Sequence, residues 1–334
     1  MKKVFLSILF ALSLCLTQAQ MKSGSWSMGV GLGVGNYFGD IVPKANDVST
    51  DLKYTRLSPS IDIAYQFTEQ FAVEVDLAWI RLISSDFETA DPRNVRHRYR
   101  FMRNQNFRND IFEIGVSGEW DFKPTIGGVF RRPTWRPYAF AGVAGFYHNP
   151  KGMTPDGRWV DLQPLRTEGQ GLPSTAVDRD GNPINYASKP YSLVQVAIPF
   201  GAGIKYRLSD NWDIAFEVGY RFTFTDYLDD VSGNYASAAD LNDFNPLSAI
   251  MANRTLEARD PISGQVRDFA PVVESTNGYT VDALGRPTVN GFGNAGDQRG
   301  NARDRDIYIV TTFRVQYFLE QRGVRCPKFR RVRR

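Results

Sequence analysis

The sequence predicts an all-β fold: a transmembrane β-barrel of the outer-membrane type, with about eight antiparallel strands and long extracellular loops. Three observations predict it. Segments of about ten residues alternate apolar and polar side chains, the connections between them alternate in length, and aromatic residues make up 13% of the 334 residues. Together these features are typical of strands that face lipid on one side and a narrow polar interior on the other.

The first predicted strand, "SWSMGVGLGVGNY" at 25–37, carries a glycine at every second position from Gly29 to Gly35. A phosphate-binding loop would need the G-x-G-x-x-G spacing, which this stretch lacks. Period two predicts a strand with Trp26 and its partners outward and the glycines inward. Because eight strands enclose a space only wide enough for side chains, we expect the glycines to make room for long inward side chains of neighbouring strands.

Seven further segments show the same alternation: 57–67, 71–83, 111–122, 137–147, 193–208, 212–224 and 306–319. The connections run long, short, long, medium, long, short and long: 38–56, 68–70, 84–109, 124–135, 148–190, 209–211 and 226–304. A soluble β-sandwich gives no reason for such alternation in length. Short periplasmic turns and long extracellular loops are typical of outer-membrane barrels.

Aromatic residues on the apolar faces concentrate at the strand ends, where a barrel places its interfacial girdles. In the segment at 137–147, the prediction puts Tyr138, Phe140, Ala144 and Phe146 on the outward face. The predicted girdle residues are Trp26, Tyr65, Phe67, Phe71, Trp79, Trp120, Phe122, Tyr138, Trp212, Phe224 and Tyr317.

Residues 1–19 have the pattern of a signal peptide: Lys2 and Lys3 precede an apolar run that ends in a small-x-small cleavage pattern. The apolar run is shorter than the roughly 20 residues that span a bilayer as a helix. We expect this segment to be removed on export and residues 20–319 to form a barrel in the cell outer membrane.

Cys15 lies within the predicted signal peptide, and Leu14 stands where a lipoprotein would carry a small residue, so we expect no lipid anchor. Cys326 is then the single remaining cysteine, which excludes an intrachain disulfide. The formal net charge of +4 is too balanced to indicate a nucleic-acid partner.

Acids and bases on the polar strand faces are predicted to point into the barrel. They could line a transport path, but eight strands leave no aqueous channel, and charges in so narrow a space are expected to pair. The sequence therefore predicts a structural ion network. Its predicted members are Glu74, Asp76, Glu113, Glu119, Lys205, Arg207, Glu217, Arg221 and Arg314, with Asp62, Asp121 and Asp213 on the same faces.

Two loop features are candidates for metal or catalytic sites. The "DYLDD" motif, with Asp226, Asp229 and Asp230, lacks the spacing of an EF-hand, so a solvated junction is expected, with Arg303 and Arg305 as candidate ion-pair partners. The two histidines, His97 and His148, fall in predicted outer loops without further donors nearby in sequence. We therefore predict no catalytic, cofactor or metal site.

The chain ends in a basic segment at 320–334, of which residues 322–334 contain no acid. An even number of strands leaves both chain ends in the periplasm, so this tail is predicted to lie there. Basic tails recruit acidic surfaces, although the tail could equally serve only to solvate the chain end. The candidate partner contacts are Arg322, Arg325, Lys328, Arg330 and Arg331.

Several stretches also resemble one family. "NYFGD", "FRNDIFEIG", "RPYAFAGVAGFYHNPKG", "LQPLRTEGQG", "YSLVQVAIPFGAGIKYRLSDNW", "FTDYLDDVSGNY" and "RGNARDRDIY" are similar, in this order, to the PorG family of the Bacteroidota type IX secretion system. The resemblance covers about residues 29–318 and is weakest in 236–298. It implies an integral outer-membrane barrel that associates with the periplasmic ring of the secretion and gliding machinery, and it supplies no catalytic residues.

Function is therefore expected to depend on two partners, the outer-membrane bilayer and the periplasmic ring proteins, with no cofactor, nucleic acid or evident small-molecule substrate. The alternative is a small structural or adhesive barrel that acts through the loops 148–190 and 226–304. A barrel enzyme with a histidine base is the least favoured class, because no spacing singles out a nucleophile and an orienting acid.

Overall fold

The computed structural model describes residues 24–41, 52–126, 131–178, 181–274, 276, 278–281, 284–285 and 287–319. The predicted signal peptide and the basic tail lie outside these residues, and their assignments stay predictions.

The described part of the chain contains twelve strands, eight of which form a barrel. They are β1 (Ser25–Phe38), β2 (Arg56–Gln66), β3 (Phe71–Ser85), β4 (Asn106–Asp121), β5 (Trp135–Tyr147), β6 (Pro150–Met153), β7 (Trp159–Asp161), β8 (Val194–Arg207), β9 (Trp212–Thr223), β10 (Tyr279–Val281), β11 (Pro287–Val289) and β12 (Ile307–Phe318). The barrel order is β1, β2, β3, β4, β5, β8, β9, β12, and β12 pairs antiparallel with β1 to close it. The predicted closed barrel of eight antiparallel strands is confirmed.

The outer surface of the barrel is apolar, as the alternation predicted. Val30 is 60% exposed and Phe313 is 66% exposed, positions that a soluble domain would bury and a bilayer covers. Aromatic pairs form a belt at the end of the barrel that carries the short turns. The ring centroids of Trp26 and Tyr65 lie 4.8 Å apart, and those of Trp212 and Tyr317 also lie 4.8 Å apart.

The glycines of β1 face inward, as predicted, and each lies under a neighbour's side chain. A Cβ atom at Gly29 would come within 2.4 Å of the Asp62 carboxylate, and one at Gly31 within 2.3 Å of the Ser60 hydroxyl. Since real Cβ atoms do not approach other atoms so closely, only glycine lets these polar side chains lie across the strand. The prediction that the glycines make room for inward side chains is confirmed.

The predicted orientation of β5 is wrong. Tyr138, Phe140, Ala144 and Phe146 face the interior and are buried, so Tyr138 is not a girdle residue. The other face of β5 carries Ala139, Ala141 and Gly145 beside larger residues, so hydrophobicity along this strand does not distinguish the two faces. The paired strand β8 decides the orientation.

Two inward glycines on β8 leave space that the β5 aromatics fill. A Cβ at Gly203 would lie 2.6 Å from the ring of Tyr138, and one at Gly201 would lie 2.8 Å from the ring of Phe140. Large rings stacked over glycines pack the barrel wall without gaps, which close packing requires.

The long connections all lie at one end of the barrel and fold together into a layer that we call the cap: the described residues of 39–55, 86–105, 148–193 and 224–306. It contains β6, β7, β10, β11 and five helices. The helices are α1 (Asp86–Thr89), α2 (Arg98–Arg103), α3 (Ala238–Phe244), α4 (Pro246–Ala252) and α5 (Ala270–Val273), with 3₁₀ turns at Leu52–Tyr54 and Gln163–Leu165. The cap has apolar cores of its own, one around Met102 and Val272 and another around Leu241 and Ala249.

No helix in the part of the chain that the structure describes is both long and apolar enough to cross a membrane.

An apolar layer closes the barrel beneath the cap. Ile80, Leu82 and Phe107 point inward from β3 and β4, and Leu228 and Val231 enter from the cap segment that follows β9. This layer was not predicted, because in the sequence Ile80 and Leu82 look like part of an apolar strand end. It separates the polar lumen below from the cap above.

Candidate functional site

Charged side chains fill the lumen in a set of contacts that we call the lumen network, centred on Arg314 of β12. Its guanidinium lies 2.5 Å from Glu74, 3.3 Å from Asp62, 3.3 Å from Glu217 and 3.9 Å from Glu119, measured between nitrogen and oxygen atoms. One cation from one strand therefore joins carboxylates from β2, β3, β4 and β9. Such a contact fixes the strands around it only if all partners are present.

Two further basic groups link carboxylates towards the end of the barrel that carries the short turns. Lys205 lies 2.5 Å from Glu119 and 3.7 Å from Asp121, and Arg136 bridges Asp121 at 2.8 Å and Asp213 at 2.5 Å. Sequence reasoning missed Arg136, because this residue precedes the predicted strand and shares a face with Tyr138 and Phe140, which were predicted to point outward.

A second arginine that the sequence analysis missed enters the lumen from the turn before β5. Arg132 lies 2.8 Å from Asp213, and its guanidinium stacks 3.9 Å from the ring centroid of Phe318. Because Arg132 belongs to a turn, strand parity could not place it inside.

The remaining predicted network members occupy different settings. Arg221 lies 3.4 Å from Glu113, and Glu113 also accepts a hydrogen bond from the Tyr308 hydroxyl. Asp76 faces the lumen beside Gly115 and has no ion-pair partner among the described residues. Arg207 is half-buried at the periplasmic rim, where its strand ends opposite Asp213.

The lumen contains one small cavity of about 20 Å³, lined by Glu74, Asp76, Arg221 and Arg314 among others. A cavity of this size holds about one water molecule. The lumen side chains, the apolar layer and the cap thus leave no continuous passage through the described residues.

At the junction of barrel and cap, a buried polar cluster forms what we call the cap base. Tyr37, at the end of β1, lies with its hydroxyl 2.8 Å from an Asp229 carboxylate oxygen and 2.7 Å from an Asp306 carboxylate oxygen. A hydroxyl has a single hydrogen to donate, so the second contact needs a hydrogen from a protonated carboxyl group. The geometry therefore places one proton on the Asp229 and Asp306 pair.

Burial and nearby carboxylates account for that proton. Removal from water raises the pKa of both Asp229 and Asp306 well above the usual range, the charge of Asp40 raises the pKa of Asp229 further, and the charge of Asp229 raises the pKa of Asp306 further. Backbone N–H groups of Val231 and Leu228 donate to them, at 2.9 Å and 2.8 Å. The structure shows no ion pair to either carboxylate among the described residues.

A second part of the cap base is organised by Arg299. Its guanidinium donates to Glu168 at 2.8 Å and lies 3.5 Å from Asp230. Asp230 also accepts from the hydroxyls of Thr167 and Tyr191, at 2.5 Å and 2.7 Å. One arginine thus joins the segments that precede β8, follow β9 and precede β12.

The expectation of a solvated "DYLDD" junction is wrong. Asp226, Asp229 and Asp230 are all buried, because the segment that carries them enters the mouth of the barrel beside Leu228. The ion-pair partner of Asp230 is Arg299, not Arg303 or Arg305.

His148 is also not an exposed loop residue. It is buried directly after β5, contacts the Asn109 side chain at 3.3 Å and the Ser192 carbonyl at 3.3 Å, and stacks on Tyr191. Burial lowers its pKa to about 4, so it is neutral at physiological pH. His97 precedes α2 at the surface.

The described residues contain no group of three or more histidine, cysteine or acidic side chains that could hold a metal ion.

The cap base unites segments that are far apart in the sequence. Tyr37 belongs to "NYFGD", Glu168 to "LQPLRTEGQG", Asp229 to "FTDYLDDVSGNY", and both Arg299 and Asp306 to "RGNARDRDIY". Most stretches on which the family resemblance depends therefore contribute side chains to one buried cluster.

The family model of the outer membrane protein beta-barrel domain matches residues 7–244 of this chain. No curated protein sequence matches it significantly.

Solved structures that the fold is similar to include three outer-membrane proteins. Neisserial surface protein A is 10% identical, with 89% of this chain and 99% of that chain covered and a TM-score of 0.36. OprG from Pseudomonas aeruginosa is 9% identical, with 90% and 98% covered and a TM-score of 0.36. Ail from Yersinia pestis, in complex with the heparin analogue sucrose octasulfate, is 8% identical, with 89% and 99% covered and a TM-score of 0.35. At such identities and scores, these likenesses carry no argument about function.

Proposed function

This chain belongs to the family of outer membrane protein β-barrel domains, and we propose that it is a non-enzymatic component of the type IX protein secretion machinery that associates with the periplasmic ring. The barrel lies in the outer membrane. Its proposed task there is to hold a binding surface at the inner leaflet, not to conduct a substrate.

The observation that carries the proposal is the convergence of the resembling segments on the cap base. Stretches scattered from Tyr37 to Asp306 meet in one set of buried hydrogen bonds, with Tyr37, Asp229 and Asp306 in direct contact. Segments that resembled a family by chance would have no reason to assemble in this way. The convergence therefore supports the resemblance on which the secretion assignment depends.

The filled lumen supports a role in binding over a role in transport. Arg314 and its carboxylates occupy the centre of the barrel, and the apolar layer around Leu82 and Phe107 closes it above. A protein that blocks its own lumen serves its partners through its exposed ends.

The periplasmic end presents the short turns and the start of the tail. Strand β12 ends at Phe318 on the same side as the start of β1, where Ser27 pairs with Phe318. The basic residues Arg322, Arg325, Lys328, Arg330 and Arg331 follow outside the described residues, and we propose that they contact an acidic surface of the ring.

Truncation after Glu320 tests this proposal. The truncated barrel should still insert and migrate in gels as a heat-modifiable protein, because it keeps all eight barrel strands, the last of which ends at Phe318. Co-purification of ring proteins from detergent-solubilised outer membranes should fall, and the full-length protein should lose those partners as salt rises, since exposed charges are screened beyond about 10 Å at 0.1 M.

A full-length variant with alanines at Arg322, Arg325, Lys328, Arg330 and Arg331 provides the matched control for tail length. If the truncated barrel keeps its partners at every salt concentration, the tail does not bind them. If the full-length barrel brings down no secretion proteins and its deletion affects attachment alone, the adhesive alternative replaces the secretion role.

A further inference from the structure

The cap contains a cleft of about 520 Å³ that none of the contacts described above fills. It opens on the side of the long loops, between the segments around 168–187, 227–235 and 296–302. Its volume falls in the range of about 300–1,000 Å³ that is usual for small-molecule sites.

The floor of the cleft is electrically neutralised. Glu168 accepts hydrogen bonds from the backbone N–H of Ser232 at 2.9 Å, from the Tyr227 hydroxyl at 3.2 Å and from Arg299 at 2.8 Å. At the rim, Asp178 accepts from the backbone N–H of Asn182 at 2.8 Å. Arg299 itself is buried beneath the floor, and the described residues that line the cleft include no basic side chain. The described lining therefore offers an anionic ligand no cation to pair with.

Two tyrosine rings in the lining are held in fixed orientations. Tyr227 stacks on Tyr191, with centroids 4.5 Å apart and planes 9° apart. The Tyr186 hydroxyl donates to Asp240 at 2.7 Å and accepts from the backbone N–H of Ser237 at 2.9 Å. Their hydroxyls are engaged, so the surfaces offered to a ligand are ring faces and edges.

Amide side chains supply the remaining polar groups. Gln170 is 2% exposed and lines the cleft, and its Oε1 accepts from the backbone N–H of Glu168 at 3.2 Å. Its Nε2 atom is buried and interacts with the Tyr227 side chain, so Gln170 helps to hold that ring in place. Asn185 and Asn234, both exposed, add donors and acceptors at the rim.

We propose that this cleft binds an uncharged, hydroxyl-rich ligand of the saccharide class. Fixed aromatic faces suit the C–H faces of a sugar ring, and amide groups suit its hydroxyls because each amide can both donate and accept. The proposal goes beyond the secretion role, since the cleft lies at the opposite end of the barrel from Phe318, where β12 ends.

The binding test uses the full-length protein, folded in a detergent without a sugar head group, labelled and applied to an array. The array carries neutral oligosaccharides, sialylated and sulfated oligosaccharides, and peptides. Glycans released from the outer leaflet of the membrane that carries the protein and unrelated free disaccharides form separate arms, which distinguish a membrane glycolipid from a free sugar. We expect retention on neutral glycans in at least one of these arms.

Variants then locate the binding. Ala187→Trp places a large side chain in the exposed lining and should weaken retention at least tenfold, as should the double change Asn185→Ala and Asn234→Ala. Ala258→Trp is the matched control, because Ala258 is exposed on the cap outside the cleft, and it should bind as the unchanged protein does. Heat-modifiable migration checks that each variant is folded.

Three results would overturn the proposal: no retention on any neutral glycan, retention on anionic glycans or peptides alone, or unchanged binding by folded Ala187→Trp. None of these results bears on co-purification of ring proteins, so the secretion role is judged separately.

Discussion

The lumen network and the cap base both bury carboxylates, but they stabilise them in opposite ways. In the lumen, Glu74 and Glu217 contact the guanidinium of Arg314. In the cap base, Asp229 and Asp306 contact a tyrosine hydroxyl and backbone N–H groups, without a cation among the described residues. The lumen network is held by charge pairing, whereas the cap base combines the ion pairs of Arg299 with a proton retained by Asp229 and Asp306. The two regions should therefore respond differently to substitution and to pH.

The largest expected difference between the two regions comes from substituting the central arginine of each. Arg314→Met leaves four lumen carboxylates without their shared cation, and breaking a buried pair in this way typically costs about 3–5 kcal/mol. We expect the barrel to fail to assemble, seen as loss of heat-modifiable migration. Arg299→Met should leave the barrel assembled and expose the cap to protease. If both variants assemble equally well, the lumen network does not hold the barrel together.

Packing of the lumen provides the next test. In Gly33→Leu, the added Cβ alone would lie 2.8 Å from the Thr311 carbonyl oxygen and 3.2 Å from that of Ser58. Overpacking of this kind costs about 1–3 kcal/mol. Folding yield into detergent or liposomes should fall for Gly33→Leu, and likewise for Gly31→Leu. The lipid-facing Val30→Leu should fold normally, and equal yields for the two classes would mean that the inward glycines are not needed for packing.

A pair of tyrosine variants compares the regions at the level of one hydroxyl. Tyr37→Phe removes the group between Asp229 and Asp306, and an unsatisfied buried polar group costs about 1–3 kcal/mol. In Tyr138→Phe, Glu217 loses a 2.7 Å hydrogen bond but keeps Arg314 at 3.3 Å. When urea unfolding is monitored by proteolysis of the cap, the loss of stability should be larger for Tyr37→Phe than for Tyr138→Phe. A larger loss for Tyr138→Phe would contradict the comparison.

The smallest expected effect is the pH response of the cap. Burial raises the pKa of Asp226 from 3.8 to about 7. Between these values the folded cap keeps a proton that the unfolded chain releases, so the cap loses stability as pH rises from about 4 to about 7. Protease cleavage of the cap should accelerate across this window in the unchanged protein.

Asp226→Asn should reduce that pH response, because the amide stays neutral throughout, while Asp229, Asp230 and Asp306, whose pKa values are also raised, still titrate. Asp243→Asn, at an exposed position on α3, serves as the control and should leave the response unchanged. A cap whose cleavage rate is independent of pH, or one in which Asp226→Asn changes nothing, would show that this proton does not stabilise it.

Strand periodicity was sufficient to predict the barrel, because side chains in a strand alternate between two faces and those two faces meet different solvents. It placed Gly29, Glu74 and Arg314 inside correctly. It failed for β5, where small residues occupy both faces, and the glycines of β8 were needed to show which face the rings of Tyr138 and Phe140 fill.

The cap could not be predicted in the same way. Its contacts join residues that are far apart in sequence, such as Tyr37 with Asp306 and Glu168 with Arg299. No periodicity records such pairs, so an acidic motif that reads as a solvated loop can lie in the mouth of the barrel.

By itself, the sequence determined the number of strands, their alternation, the grouping of the long loops at one end of the barrel and the charged character of the lumen. These follow from local patterns, since each residue's face depends only on its position within its own strand. The tertiary structure decided the orientation of β5, the entry of Arg132 and Arg136 into the lumen, the burial of Asp226, Asp229 and Asp230, and the cleft beside Glu168. Each of these depends on which distant segments close over a residue, and burial by a distant segment leaves no local pattern in the sequence.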